Sequence, residues 1–233
     1  MSFAVPLHRL AVLALAASPL LLVGCGTVGT IPIGDDARAH LHVVSVSPVV
    51  KLPDEMTYMG PGQAAALVLG GPLVGGLIAN NSAATPKAQL AGEMQASHIV
   101  LGDIVAAEFA RQATDNAGPT RFVVGSAPAD AQVELSVIAY GVMHAQPFGS
   151  TLYPLVNVTA IMKAPDGRIL WQATEIAGPL ARDNKQGYTF EEYAKDPELL
   201  RQVLVAGSDI ASRMLADNLM GRQKPQGTPG IQQ

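Results

Sequence analysis

The chain has 233 residues, of which 48% are hydrophobic and 15% charged, and its formal net charge at pH 7 is −4. Its lysines and arginines form no basic block, which argues against nucleic acid and against electrostatic docking on acidic lipid. Cys25 is the only cysteine, so no intramolecular disulfide can form and the fold must be held by packing. With 23 Gly and 17 Pro, many turns are expected.

Residues 10–23 are an apolar run of Leu, Ala, Val, Ser and Pro, preceded by His8 and Arg9, and no acidic residue comes before Asp35. As a helix the run would reach only ~21 Å, short of the ~30 Å hydrocarbon core, and Pro19 interrupts it. A basic start, a short apolar core and a small-residue exit describe a secretory signal peptide over residues 1–24, not a permanent transmembrane helix.

The run ends in Leu22-Val23-Gly24-Cys25. This resembles the lipobox of bacterial lipoproteins. The resemblance implies cleavage between Gly24 and Cys25, a thioether-linked diacylglycerol on Cys25 and a further acyl chain on the new amino terminus. Two or more acyl chains anchor stably, so the mature protein is expected to be tethered to a membrane without spanning it. Gly26 stands where lipoproteins retained at the inner membrane carry Asp. By that resemblance the location is the outer membrane, facing the periplasm. No cofactor other than the covalent lipid is expected.

Residues 25–39 read as a flexible tether, and residues 26–39 could span up to ~45–50 Å when extended. Residues 40–50 are β-branched, alternate around Val44 and Val46, and are ended by Pro48, as in a central strand. His40 and His42 would share a side of it, but no third ligand lies nearby, so no metal is expected. Residues 60–84 form an insertion rich in Gly and apolar residues. Gly70, Gly71, Gly75 and Gly76 make it a poor helix by propensity, yet would allow close packing. Three readings remain open: a kinked helix over the domain, a mobile apolar loop, or an element for membrane insertion or oligomer contact.

Thr85-Pro86 opens a helix over residues 86–97. Residues 98–101 fit either helix or a short extended link. A second helix follows, with Ile104, Val105, Phe109 and Ala113 on one face, and stops at residues 116–119. Residues 121–124 form a short strand. Residues 132–142 alternate, with Val133, Leu135, Val137 and Ala139 on the apolar face. Residues 153–163 place Val156, Val158, Ala160 and Met162 inward. Pro165-Asp166-Gly167 is a turn, and residues 168–176 return as the partner strand. Thr189 and Glu192 form a capping box, Asp196-Pro197 starts another helix, and its apolar face runs to Leu219. Residues 221–233 read as a disordered tail.

The predicted fold is α+β: one domain over residues 40–220, a mixed sheet of about five strands with an antiparallel hairpin, and helices packed on one face. Ala129-Asp130-Ala131 through Tyr140-Gly141, then Asp166-Gly167-Arg168-Ile169-Leu170-Trp171, resemble a group of periplasmic lipoprotein domains. The group includes the curli-secretion lipoprotein, the penicillin-binding-protein activators, the small meningococcal-type lipoproteins and the amino-terminal domain of the Tol translocation protein. These domains act by binding, so the resemblance implies an accessory lipoprotein of the cell envelope that contacts another envelope protein or itself. Trp171 and the four glycines are the candidate contact residues. A secretion-pore subunit is the alternative, with residues 60–84 driving assembly. No nucleophile elbow, zinc-protease, Walker or dinucleotide motif is present. An envelope hydrolase would rest only on Asp35-Asp36 and Glu191-Glu192, so a non-enzyme is expected.

Overall fold

The computed structural model describes residues 29–60, 85–126, 128–146 and 149–222. Cys25 with its lipobox, Gly70, Gly71, Gly75 and Gly76 lie outside them, as do the alternatives for residues 61–84. In chain order the elements are α1 (Asp35–Ala39), β1 (Val43–Val46), β2 (Thr57–Met59), α2 (Pro86–Ala96), α3 (Leu101–Asn116), β3 (Arg121–Val124), β4 (Ala131–His144), β5 (Leu152–Lys163), β6 (Ile169–Ala177), α4 (Phe190–Lys195) and α5 (Pro197–Leu219). They form the expected α+β fold around a six-stranded mixed sheet.

The sheet is built on β4. β5 and β6 follow it as antiparallel neighbours. Along its other edge β1 and β2 lie end to end, both parallel to it: β1 pairs with residues 131–133 and β2 with residues 141–143. Lys51 bridges to Ser136 between them, and β3 pairs outside β1. α3 and α5 pack together over one face. Beneath them lie Val133, Leu135, Val156, Val158, Ala160, Met162, Trp171 and Ala173, all almost wholly buried.

Three of the described helices begin where a side chain satisfies free amides. The Thr85 hydroxyl accepts from the Ala88 amide at 3.3 Å, and Pro86 follows with no amide to satisfy. Thr189 and Glu192 close a reciprocal capping box, and the Asp196 carboxylate accepts from the Glu198 amide at 3.0 Å. His98, at φ 49°, separates α2 from α3, so residues 98–100 are a link and the second helix starts at Leu101.

The structure differs from the sequence reading at three places. The first strand is only four residues long, and both His40 and His42 precede it. β2 has no period of its own and exists because β4 offers it an edge. Ala139 faces away from the apolar layer, because the β4–β5 register shifts between Val137 and Ala139. That bulge inserts Ile138 and reverses the alternation, so Val142 and His144 become the buried positions beyond it.

Gly141 marks the closest approach in the sheet. Its φ is 145°, and a Cβ there would lie 1.8 Å from the Thr57 carbonyl oxygen. A Gly141→Ala chain can fold only by displacing β2 and straining its own backbone. A loss of at least about 2 kcal/mol is expected, read as an earlier urea midpoint.

Candidate functional site

Residues 29–39, expected to belong to a tether, are built into the domain. Ile31 and Gln172 exchange backbone hydrogen bonds of 2.8 and 2.9 Å, an antiparallel bridge on the outer edge of β6. The Gln172 side-chain amide also donates to the Gly29 carbonyl at 2.9 Å. Ile33 is buried, and α1 follows directly. Arg38 then donates to the Leu219 carbonyl at 3.2 Å, where α5 ends. The point at which the chain enters the fold is therefore fixed, on β6.

Trp171 is not a surface contact residue. Its side chain has no exposed area and stacks on Phe109, with ring centroids 6.3 Å apart. Its indole N–H donates to the Asn218 side-chain carbonyl at 3.1 Å, and the Asn218 amide donates to Glu175 at 3.3 Å. Strand alternation puts Trp171 and Glu175 on the covered face, so a tryptophan expected to meet a partner instead joins β6 to α5.

The other residues that carry the lipoprotein resemblance are also architectural. The Asp130 carboxylate accepts from the amides of His42 and Val43, at 2.8 and 2.9 Å, and so starts β1. Those amides, that of Val43 foremost, hold its carboxyl below the usual aspartate range. Gly167, at φ 85°, closes the turn between β5 and β6, where the Asp166 carboxylate accepts from the Arg168 amide at 3.0 Å. Gly141 admits β2.

Past Ala177 the chain is pinned by Asn184, whose amide donates to the carbonyls of Pro154 and Gly178. Between this loop, the end of β6 and α5 lies an open groove of about 890 Å³, lined by Met143, Leu155, Ile176, Leu180, Ile210 and Met214. Asp183 and Arg213 also line it, paired at 2.8 Å, and the Arg213 guanidinium lowers the Asp183 pKa. The groove combines this apolar lining with charged Glu175, Arg182, Asp183, Arg213 and Asp217, a mixture that suits a protein surface.

The acidic pairs do not converge. Asp35 and Asp36 open α1, where Asp35 lies 3.9 Å from Arg38, and Glu192 is occupied by its capping box. Among the described residues no three His, Cys, Asp or Glu side chains gather as a metal site would require. No described helix is long and apolar enough to cross a membrane.

No protein-family model matches the chain, and no curated relative does. Among solved structures it is similar to a PelC dodecamer from Paraburkholderia phytofirmans, at 12% identity and TM-score 0.42, over 84% of this chain and 97% of that one. A Xanthomonas campestris protein of the family model DUF330 matches at 14% identity and TM-score 0.35, over 52% and 63%. A minor lipoprotein from Acinetobacter baumannii matches at 13% identity and TM-score 0.26, over 76% and 94%.

Two outcomes test this architecture. Asn218→Ala removes the acceptor of a buried indole N–H and should cost about 1–3 kcal/mol, measured by urea unfolding followed through the fluorescence of the single tryptophan. Asp130 has a depressed pKa in the folded chain, so its stabilisation is present above the unfolded value of about 3.9 and is lost as pH falls through the lower folded value. Asp130→Asn should therefore be less stable than the parent at pH 7, with the difference closing below about pH 4.

Proposed function

We propose that this chain is a lipid-anchored accessory lipoprotein of the bacterial cell envelope, held at the outer membrane by Cys25 and facing the periplasm. It acts by binding and not by catalysis, through contact with another envelope protein or a second copy of itself. The observation that carries the reading is Leu22-Val23-Gly24-Cys25 at the end of a signal-like apolar run, with Cys25 the only cysteine. Two structural features agree with it. The chain joins the fold at Gly29, four residues after the acylated position, and of the acidic pairs singled out in the sequence Asp35 lies 3.9 Å from Arg38 and Glu192 closes a helix cap.

Because Trp171 is internal, a protein contact must use other residues, and the part of the groove between Leu180 and α5, at Ile210 and Met214, is the surface whose chemistry suits it. Cys25→Ser should abolish labelling by a radioactive fatty acid and move the chain from the membrane to the soluble fraction. Retention in the membrane fraction without label would refute the anchor. Native mass of the gently extracted lipidated chain then separates a second copy from a different partner.

A further inference from the structure

We infer that the face of the sheet that no described helix covers, on its β6 side, lies against the lipid surface that anchors the chain, so that the domain rests on the bilayer in one orientation. The inference rests on the acylation of Cys25 proposed above and adds the surface that meets the membrane. Its first support is length. Only residues 26–28 separate Cys25 from Gly29, whose carbonyl is held by Gln172. Fully extended, that spacing reaches about 13–14 Å, so the β6 edge cannot stand off from the headgroups.

The second support is what the sheet presents beside that edge. Paired residues share a face, so the register aligns Ile31, Gln172, Ile161 and Glu134 in one row. The next row on one side carries Ile169, and beyond the row of Ser136, Thr159 and Thr174 on the other lie Ile176 and the bulge residue Ile138. Ile31, Ile138, Ile169 and Ile176 are each 40–49% exposed. At strand spacing the patch is about 15 Å across the strands and about 20–25 Å along β6. Scattered exposed isoleucines are ordinary, but these share the face that the anchored segment joins.

Charge points the same way. Glu134 and Lys163 are the only charged side chains that β4, β5 and β6 place on this face, and they pair at 2.7 Å. A neutral apolar surface with Thr, Ser and Asn between its isoleucines suits the headgroup boundary of any phospholipid and gains nothing from acidic lipid. A second copy seated here would occupy the space that the short spacer assigns to the bilayer.

The test uses the full lipidated chain in phosphatidylcholine vesicles containing brominated lipid. Since Cys25 is the only native cysteine and is acylated, fluorophores can be placed singly at Ile138→Cys, at Ile176→Cys and, as a control on α5, at Gln202→Cys. Lipid quenching at Ile138→Cys and Ile176→Cys should exceed that at Gln202→Cys at least about threefold, since interfacial contact buries side chains ~5–10 Å into the headgroup boundary. It should also be unchanged between about 0.1 and 1 M salt. Equal quenching at all three positions in a chain that floats with the vesicles overturns the orientation and leaves the anchor standing. Labels at Ile138 and Ile176 shielded from lipid and from aqueous quencher alike, with doubled mass, overturn it in favour of a second copy. A chain that does not float removes the anchor and the orientation together.

Discussion

Everything in this fold depends on one strand serving three partners. β4 must pair along its whole length with β5 while its other edge holds β1 at one end and β2 at the other. A strand that kept one alternation throughout would bury Val133, Leu135 and Val137 but turn Val142 and His144 outward. The bulge at Ile138 resolves the conflict by one residue, so both halves of β4 feed the same apolar layer. It also leaves an isoleucine 49% exposed on the opposite face, a side effect of how the core is phased. Gly141 follows from the same arrangement, because β2 can dock on the far half of β4 only where no side chain blocks the Thr57 carbonyl.

Without a disulfide, the layer under the helices is held by aromatic contact and by satisfied polar groups. Phe109 on α3 stacks on Trp171 and meets Phe122 edge-on, with centroids 6.3 and 6.0 Å apart, so α3, β3 and β6 share one ring. Each such pair contributes about 0.5–1.5 kcal/mol beyond the area it buries. Polar side chains finish the element ends that backbone pairing leaves open. Asp130 takes two amides at the start of β1, Thr120 donates to the Leu41 carbonyl at 2.7 Å, and Tyr193 donates to the Leu152 carbonyl at 2.8 Å. Burial of the Tyr193 phenol is the main reason its pKa is raised above the ordinary tyrosine value, which favours the neutral donor.

What could be read from sequence follows the range of the interactions. The β5–β6 hairpin, the Thr189 capping box and the apolar stripe of α5 are set by neighbours within a few residues, and each lies where its pattern predicts. β2 and the Ile31 bridge depend on partners 84 and 141 residues away, at Gly141 and Gln172. Nothing local distinguishes Ile31 from a residue of a flexible linker, so residues 29–39 read as a tether. Trp171 failed as a contact residue for the same reason, because its acceptor Asn218 lies 47 residues further on. The lipoprotein resemblance fared differently. Its Asp-containing, Tyr-Gly and Gly-x-x-Leu-Trp segments are local, and the structure gives each a building role: Asp130 starts β1, Gly141 admits β2, and Trp171 ties β6 to α5.

An open sheet edge invites pairing with another chain, and the edges at β3 and β6 are managed differently. β3 is short and begins with exposed Arg121, so it offers little template. β6 is longer and more apolar, and its exposed backbone at Gln172 is taken by Ile31 before any foreign strand can use it. The segment that blocks this edge is also the one leading back to Cys25. Protection of the edge and placement of the proposed anchor are thus one structural decision. Had residues 29–39 remained free, the domain could have stood tens of ångströms from Cys25 and turned in any direction. Pairing Ile31 with Gln172 removes most of that reach and fixes the face of the sheet on which the remaining chain emerges.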